Sequence, residues 1–152
     1  MTKQDKQERI RKVVDEFHFD ILEEYKTITE KIRQESGVLG IFKKKQYDKH
    51  IKKLTVLRRR VNGMDIDSIP QKDRLTEEIC KLLKNCLKEF DSLAGAQITM
   101  QIKLQQKANG DKSIKMSDCT PWLKVINDTT TSMNAAIRKL DIRWADYLEI
   151  NG

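Results

Sequence analysis

The sequence predicts an all-α protein, an up-down-up-down antiparallel four-helix bundle with a shorter, basic second helix. Three observations predict it. Apolar residues recur at steps of three and four over long stretches. Only two Pro and six Gly interrupt the 152 residues. Charged residues make up 35% and apolar ones 38%, the mixture produced when long helices bury one stripe and solvate the rest. A chain of this length reads as one domain, 1–152, able to bury roughly two-thirds of its unfolded surface.

The first helix is expected over 4–36. Ile10, Val14, Phe17, Ile21, Tyr25, Ile28 and Ile32 follow at steps of 4, 3, 4, 4, 3 and 4, which holds them within about 80° on a helical wheel. Ser36-Gly37 supplies the stop, with Gly37 suited to the left-handed position beyond the last turn. The apolar connector 37–42, GVLGIF, reads as a cap over one end of the core. Phe19 lies on the far side of the wheel and Leu22 beside the stripe; exposed together with Ile142, they read as a dimer patch or as scattered surface apolar residues.

The second helix, expected over 43–61, spans roughly 28 Å. Tyr47, Ile51, Leu54, Leu57 and Val61 face one way, while Lys45, Lys49, Lys52, Lys53, Arg59 and Arg60 face nearly opposite. Across 37–62, Lys43, Lys44, Lys45, Lys49, Lys52, Lys53, Arg58, Arg59 and Arg60 stand against Asp48 alone, a local charge of +8 in a chain whose total is +7. The remainder is therefore nearly neutral.

The third helix is expected over 70–107. Ser68 as cap, Pro70 in the first turn and Gln71 three residues after the Ser form its start signal. Its apolar arc is the widest of the four and marks it as the hub. Within it, Ala94-Gly95-Ala96 permits close approach at a cost of about 1 kcal/mol for the mid-helix Gly. Asn109-Gly110-Asp111 is a turn. The fourth helix is expected from Thr120-Pro121 to about 149, with Trp122, Ile126, Thr129, Met133, Ile137, Leu140, Trp144 and Tyr147 on one stripe. The apolar step averages about 3.67 in the first helix and about 3.57 in the fourth, nearer the straight-helix value than the 3.5 of a long supercoil.

Several polar residues fall on or beside apolar stripes: Glu24, His50, Arg58 and Gln97. A Glu24–Arg58 ion pair between the first two helices is one expectation, because buried charges need partners.

Catalysis is not expected. Two histidines, His18 and His50, are too few for a carboxylate-bridged di-iron site. The acids before the third helix do not make a calcium loop, since Pro70 stands where Gly is required and Thr76 where Glu is. No glycine-rich phosphate cradle or nucleophile elbow occurs, and no cofactor is implied. Cys80, Cys86 and Cys119 do not form a disulfide framework and fit a reduced, cytoplasmic protein. No signal peptide and no membrane span is expected.

The functional expectation is a non-catalytic interaction or regulatory module. Lys45, Lys49, Lys52, Lys53, Arg59 and Arg60 would engage an acidic protein partner through their positive potential. Nucleic acid is an alternative partner, contacted at its phosphate backbone without sequence reading, because no aromatic residue interleaves with the charges. Peripheral contact with an anionic membrane would be electrostatic only. A small-molecule site inside the bundle near Gln97, Thr129 and the tryptophans is a further alternative.

Overall fold

A computed structural model describes residues 3–36, 45–71 and 73–151. The connector 37–42, together with Lys43 and Lys44, lies outside the described residues. Every regular element among the described residues is helical, and four helices pack against one another. The first helix, α1, passes through three stretches: Lys3–Asp15, a π-helical Glu16–Leu22 and Glu23–Ser36. It is followed by α2 (Tyr47–Asn62), α3 (Arg74–Ala108) and α4 (Met116–Asn151).

The inward face of α1 follows the predicted stripe. Ile10, Val14, Phe17, Ile21, Tyr25 and Ile28 are all buried. The π-helical stretch is a departure that periodicity did not announce. Phe17, Ile21 and Tyr25 are separated by two consecutive steps of four, and each such step overshoots one α-helical turn by about 40°. A wider turn there absorbs the drift and keeps all three on the core.

α2 begins at Tyr47, since Lys45 and Gln46 are not helical. Its Leu54, Leu57 and Val61 are buried, and His50 joins them at 2% exposure. The predicted start of α3 is corrected. Ser68 does not cap it. Instead Ser68 closes a turn on Asp65, its N–H donating to Asp65 Oδ1 and its hydroxyl to Asp65 O. The cap is Asp73, whose Oδ1 accepts from Thr76 N at 2.7 Å, an arrangement that satisfies an orphan donor of the first turn. The turn before α3 still contributes to the core through Ile66 and Ile69.

α4 also starts earlier than Thr120-Pro121 suggests. The Lys115 N–H donates to Asp118 Oδ2 at 2.7 Å, half of a capping box, and Pro121 lies within the helix. Met133, Ala136, Leu140, Trp144 and Tyr147 are buried, and the Trp144 and Tyr147 rings stack 4.9 Å apart.

α3 is the hub. It packs most extensively against α4 and next against α2, and Ile79, Leu83, Cys86, Phe90 and Leu93 along it are almost wholly buried. At roughly 1.5–3 kcal/mol for each large apolar side chain, this row is the principal source of cohesion. By contrast, the backbones of α1 and α4 make few close approaches. That spacing leaves room for a pocket between them.

Candidate functional site

The six cationic residues singled out in the sequence divide by environment. Lys45, Lys49, Lys52, Arg59 and Arg60 are exposed, and Lys53 is half-buried. Arg60 is engaged within the chain: its Nη2 lies 3.0 Å from Glu16 Oε1 and 3.3 Å from Asp20 Oδ2. The other five have no carboxylate oxygen within 4.0 Å among the described residues. Lys49, Lys52 and Arg59 follow at steps of 3 and 7, so they form one row along α2, and Lys45 lies in the non-helical stretch just before it. Val56, 53% exposed, interrupts that row.

Arg58 turns the other way. The expected Glu24–Arg58 pair does not form. Arg58 Nε donates to Asp91 Oδ1 of α3 at 2.7 Å, and Asn62 Nδ2 donates to the same oxygen at 3.0 Å. The Arg58 hydrogen bond holds the Asp91 carboxyl below the usual aspartate range, against a smaller opposing effect of burial, and Asp91 in turn raises Arg58. Helical spacing placed Arg58 on or beside the apolar stripe of α2, and the neighbouring helix supplies the acid. Glu24 remains half-buried on α1.

The two histidines stitch α1 to other helices. His50 Nε2 lies 2.7 Å from Glu35 Oε2, with both side chains largely buried. His18 Nε2 lies 2.7 Å from Asp141 Oδ1 of α4, and its Nδ1 lies 3.0 Å from Val14 O. Both ring nitrogens of His18 thus have an acceptor oxygen within hydrogen-bond distance. Neither pairing was foreseeable, because the acids lie 15 and 123 residues away in sequence.

Gln97 is half-buried and donates to the Tyr25 hydroxyl at 3.2 Å. Tyr25 is buried against Phe90, edge to face with ring centroids 5.4 Å apart. Burial pushes its hydroxyl up to about 12, with the Gln97 hydrogen bond pulling the other way.

Two concavities flank the π-helical stretch. A groove of about 570 Å³ runs between α1 and α2, lined on one side by Phe19, Asp20, Glu23, Glu24 and Thr27 and on the other by Lys52, Lys53, Val56, Leu57 and Arg60. A pocket of about 370 Å³ lies between α1 and α4, lined by His18, Leu22, Tyr25, Met133, Ile137 and their neighbours. The sequence suggested a site near Gln97, Thr129 and the tryptophans; no tryptophan lines this pocket, but Tyr25, to which Gln97 donates, and Thr130, the residue after Thr129, do. Phe19 borders both concavities and is 68% exposed. Leu22, grouped with Phe19 and Ile142 as exposed in the sequence reading, is instead half-buried against the core.

The three cysteines are free and buried. Desolvation raises Cys80 to about 11 and Cys86 to about 12, which suppresses the nucleophilic thiolate. Among the described residues, no group of three His, Cys, Asp or Glu side chains is arranged to hold a metal ion, and no helix is long and apolar enough to cross a membrane. No protein-family model, curated protein or solved structure matches this chain.

Proposed function

We propose that this chain is a non-catalytic interaction or regulatory module whose basic α2 engages an acidic protein partner. The single observation that carries the reading is that Lys49, Lys52, Lys53 and Arg59 on α2, with Lys45 just before it, lack carboxylate partners among the described residues while Arg58 and Arg60 are satisfied internally. Unmatched like charges on one short helix sustain a positive potential that speeds encounter with an acidic surface. The raised Cys80 and Cys86 thiols support the non-catalytic part of the proposal, and the free cysteines support a cytoplasmic location.

The scaffold belongs to the same proposal: an up-down-up-down antiparallel bundle with a basic second helix. His50–Glu35 ties the start of α2 to the end of α1, whereas Arg60–Glu16 ties its end to the middle of α1. Gln105 donates to Asp48, Arg58 meets Asp91, and Arg143 meets Glu78. These contacts support alternating directions.

The test is charge reversal outside the α1–α2 groove: Lys45→Glu, Lys49→Glu and Arg59→Glu in one chain. The native protein is expected to retain nuclease-treated acidic proteins at about 50 mM salt and release them by about 200 mM; the reversed chain is expected to retain none. Equal capture by both chains sinks the reading. Capture that disappears with nuclease assigns the face to nucleic acid, with a salt slope of about −0.9 per phosphate. A second reading, a small-molecule site, is favoured by the α1–α4 pocket, whose volume falls within the range of about 300–1,000 Å³ usual for such sites. Failure of apolar probes to raise the melting temperature would dismiss it.

A further inference from the structure

The α1–α2 groove carries opposite charges on its two walls. Asp20, Glu23 and Glu24 stand on α1, and Lys52, Lys53 and Arg60 stand on α2. Asp20 and Arg60 meet, 3.3 Å apart. Glu23, Glu24, Lys52 and Lys53 have no ion-pair partner within 4.0 Å among the described residues, so the groove separates them. Phe19 on the α1 wall and Val56 on the α2 wall are 68% and 53% exposed. The groove thus presents unsatisfied charge of both signs around uncovered apolar surface.

Charge decides the occupant. A uniformly acidic segment would be repelled by Glu23 and Glu24, and a uniformly basic one by Lys52 and Lys53. The groove requires a surface bearing both signs in the reverse order. A second copy turned about a two-fold axis parallel to the groove supplies that order, because the rotation exchanges the two walls. We propose that the chain forms an isologous dimer through this groove, with Glu23 and Glu24 of each copy facing Lys52 and Lys53 of the other. Phe19 of each copy then reaches toward Val56 on the facing α2, and water leaves both side chains. The proposal is tested separately from the acidic-partner reading: Lys45, Lys49 and Arg59 lie outside the groove, while Lys52 and Lys53 border both surfaces.

Sedimentation velocity over roughly 1–500 μM protein tests it, a range that reaches weak, small interfaces. The native chain is expected to pass from monomer to dimer, and Phe19→Asp to weaken that association by about tenfold or more. Two wall reversals give the sharper result. Glu23→Lys with Glu24→Lys makes both walls basic, and Lys52→Glu with Lys53→Glu makes both acidic. Each variant alone is expected to stay monomeric, and an equimolar mixture to form a heterodimer. A chain that had merely misfolded would not recover on mixing. The proposal is overturned if the native chain is monomeric throughout the range or if the mixture stays monomeric. A heterodimer that persists with Phe19→Asp in both variants also overturns it, since charge alone would then suffice.

Discussion

At Asp91, two donors from α2 converge on one carboxylate, and its stability contribution depends on ionisation. Its folded value lies below that of a free aspartate. The contribution is therefore present above the ordinary range near about 3.9 and is lost as pH falls through the lower folded value. The urea midpoint of Asp91→Asn should drop less between about pH 6 and pH 2.5 than that of the native chain; equal drops would remove the role given to the Arg58–Asp91 pair. Phe90, fully buried against Tyr25, should cost about 3–5 kcal/mol as Phe90→Ala in chemical denaturation. Tyr25→Phe, which leaves Gln97 without its acceptor, should cost only about 1 kcal/mol. Cys80 and Cys86 should resist a thiol reagent at about pH 8 until the chain is unfolded. Rapid labelling of the native protein would contradict their burial.

Gly95 shows how an element's intrinsic preference is set against its neighbour. Replacing a mid-helix Gly by Ala ordinarily stabilises by about 1 kcal/mol. Here an added Cβ would stand 3.2 Å from the Arg58 guanidinium, which Asp91 holds in place. Gly95→Ala should therefore gain less in the native background than beside Arg58→Ala, and a double-mutant cycle reads the difference. The Ala94-Gly95-Ala96 run pointed to close approach, but its occupant is a charged side chain rather than a helix backbone. Helix ends show the same division. Asp73, not Ser68, caps α3, and Asp73→Ala should cost about 1 kcal/mol. Both residue types cap well, and the choice followed Ile66 and Ile69, whose burial holds the Ser68 turn apart from the helix. The π-helical stretch of α1 was equally silent in the sequence, because two steps of four also occur in α4 without one.

Across the whole molecule, the four helices and their inward faces were legible because periodicity is local: a side chain's face on a helix depends only on its spacing. Hence the α1 stripe from Ile10 to Ile28 and the α4 stripe from Met133 to Tyr147 lie in the core, while Trp122 and Ile126 are only half-buried. The excess of cations on α2 was equally legible, since charge is counted rather than folded. Which of those cations remain unmatched was not. The sequence by itself determined the helical class, the inward-facing stripe of each helix and the concentration of Lys and Arg between 43 and 60. Only the tertiary structure decided that Arg58 meets Asp91, that Arg60 meets Glu16 and Asp20, and that Glu23 and Glu24 face Lys52 and Lys53 across a groove. Those pairings join residues 33, 44 and 40 positions apart for the three named contacts, and a Coulombic partner is selected by distance in space. Helical spacing carries no information about that distance until the helices have packed.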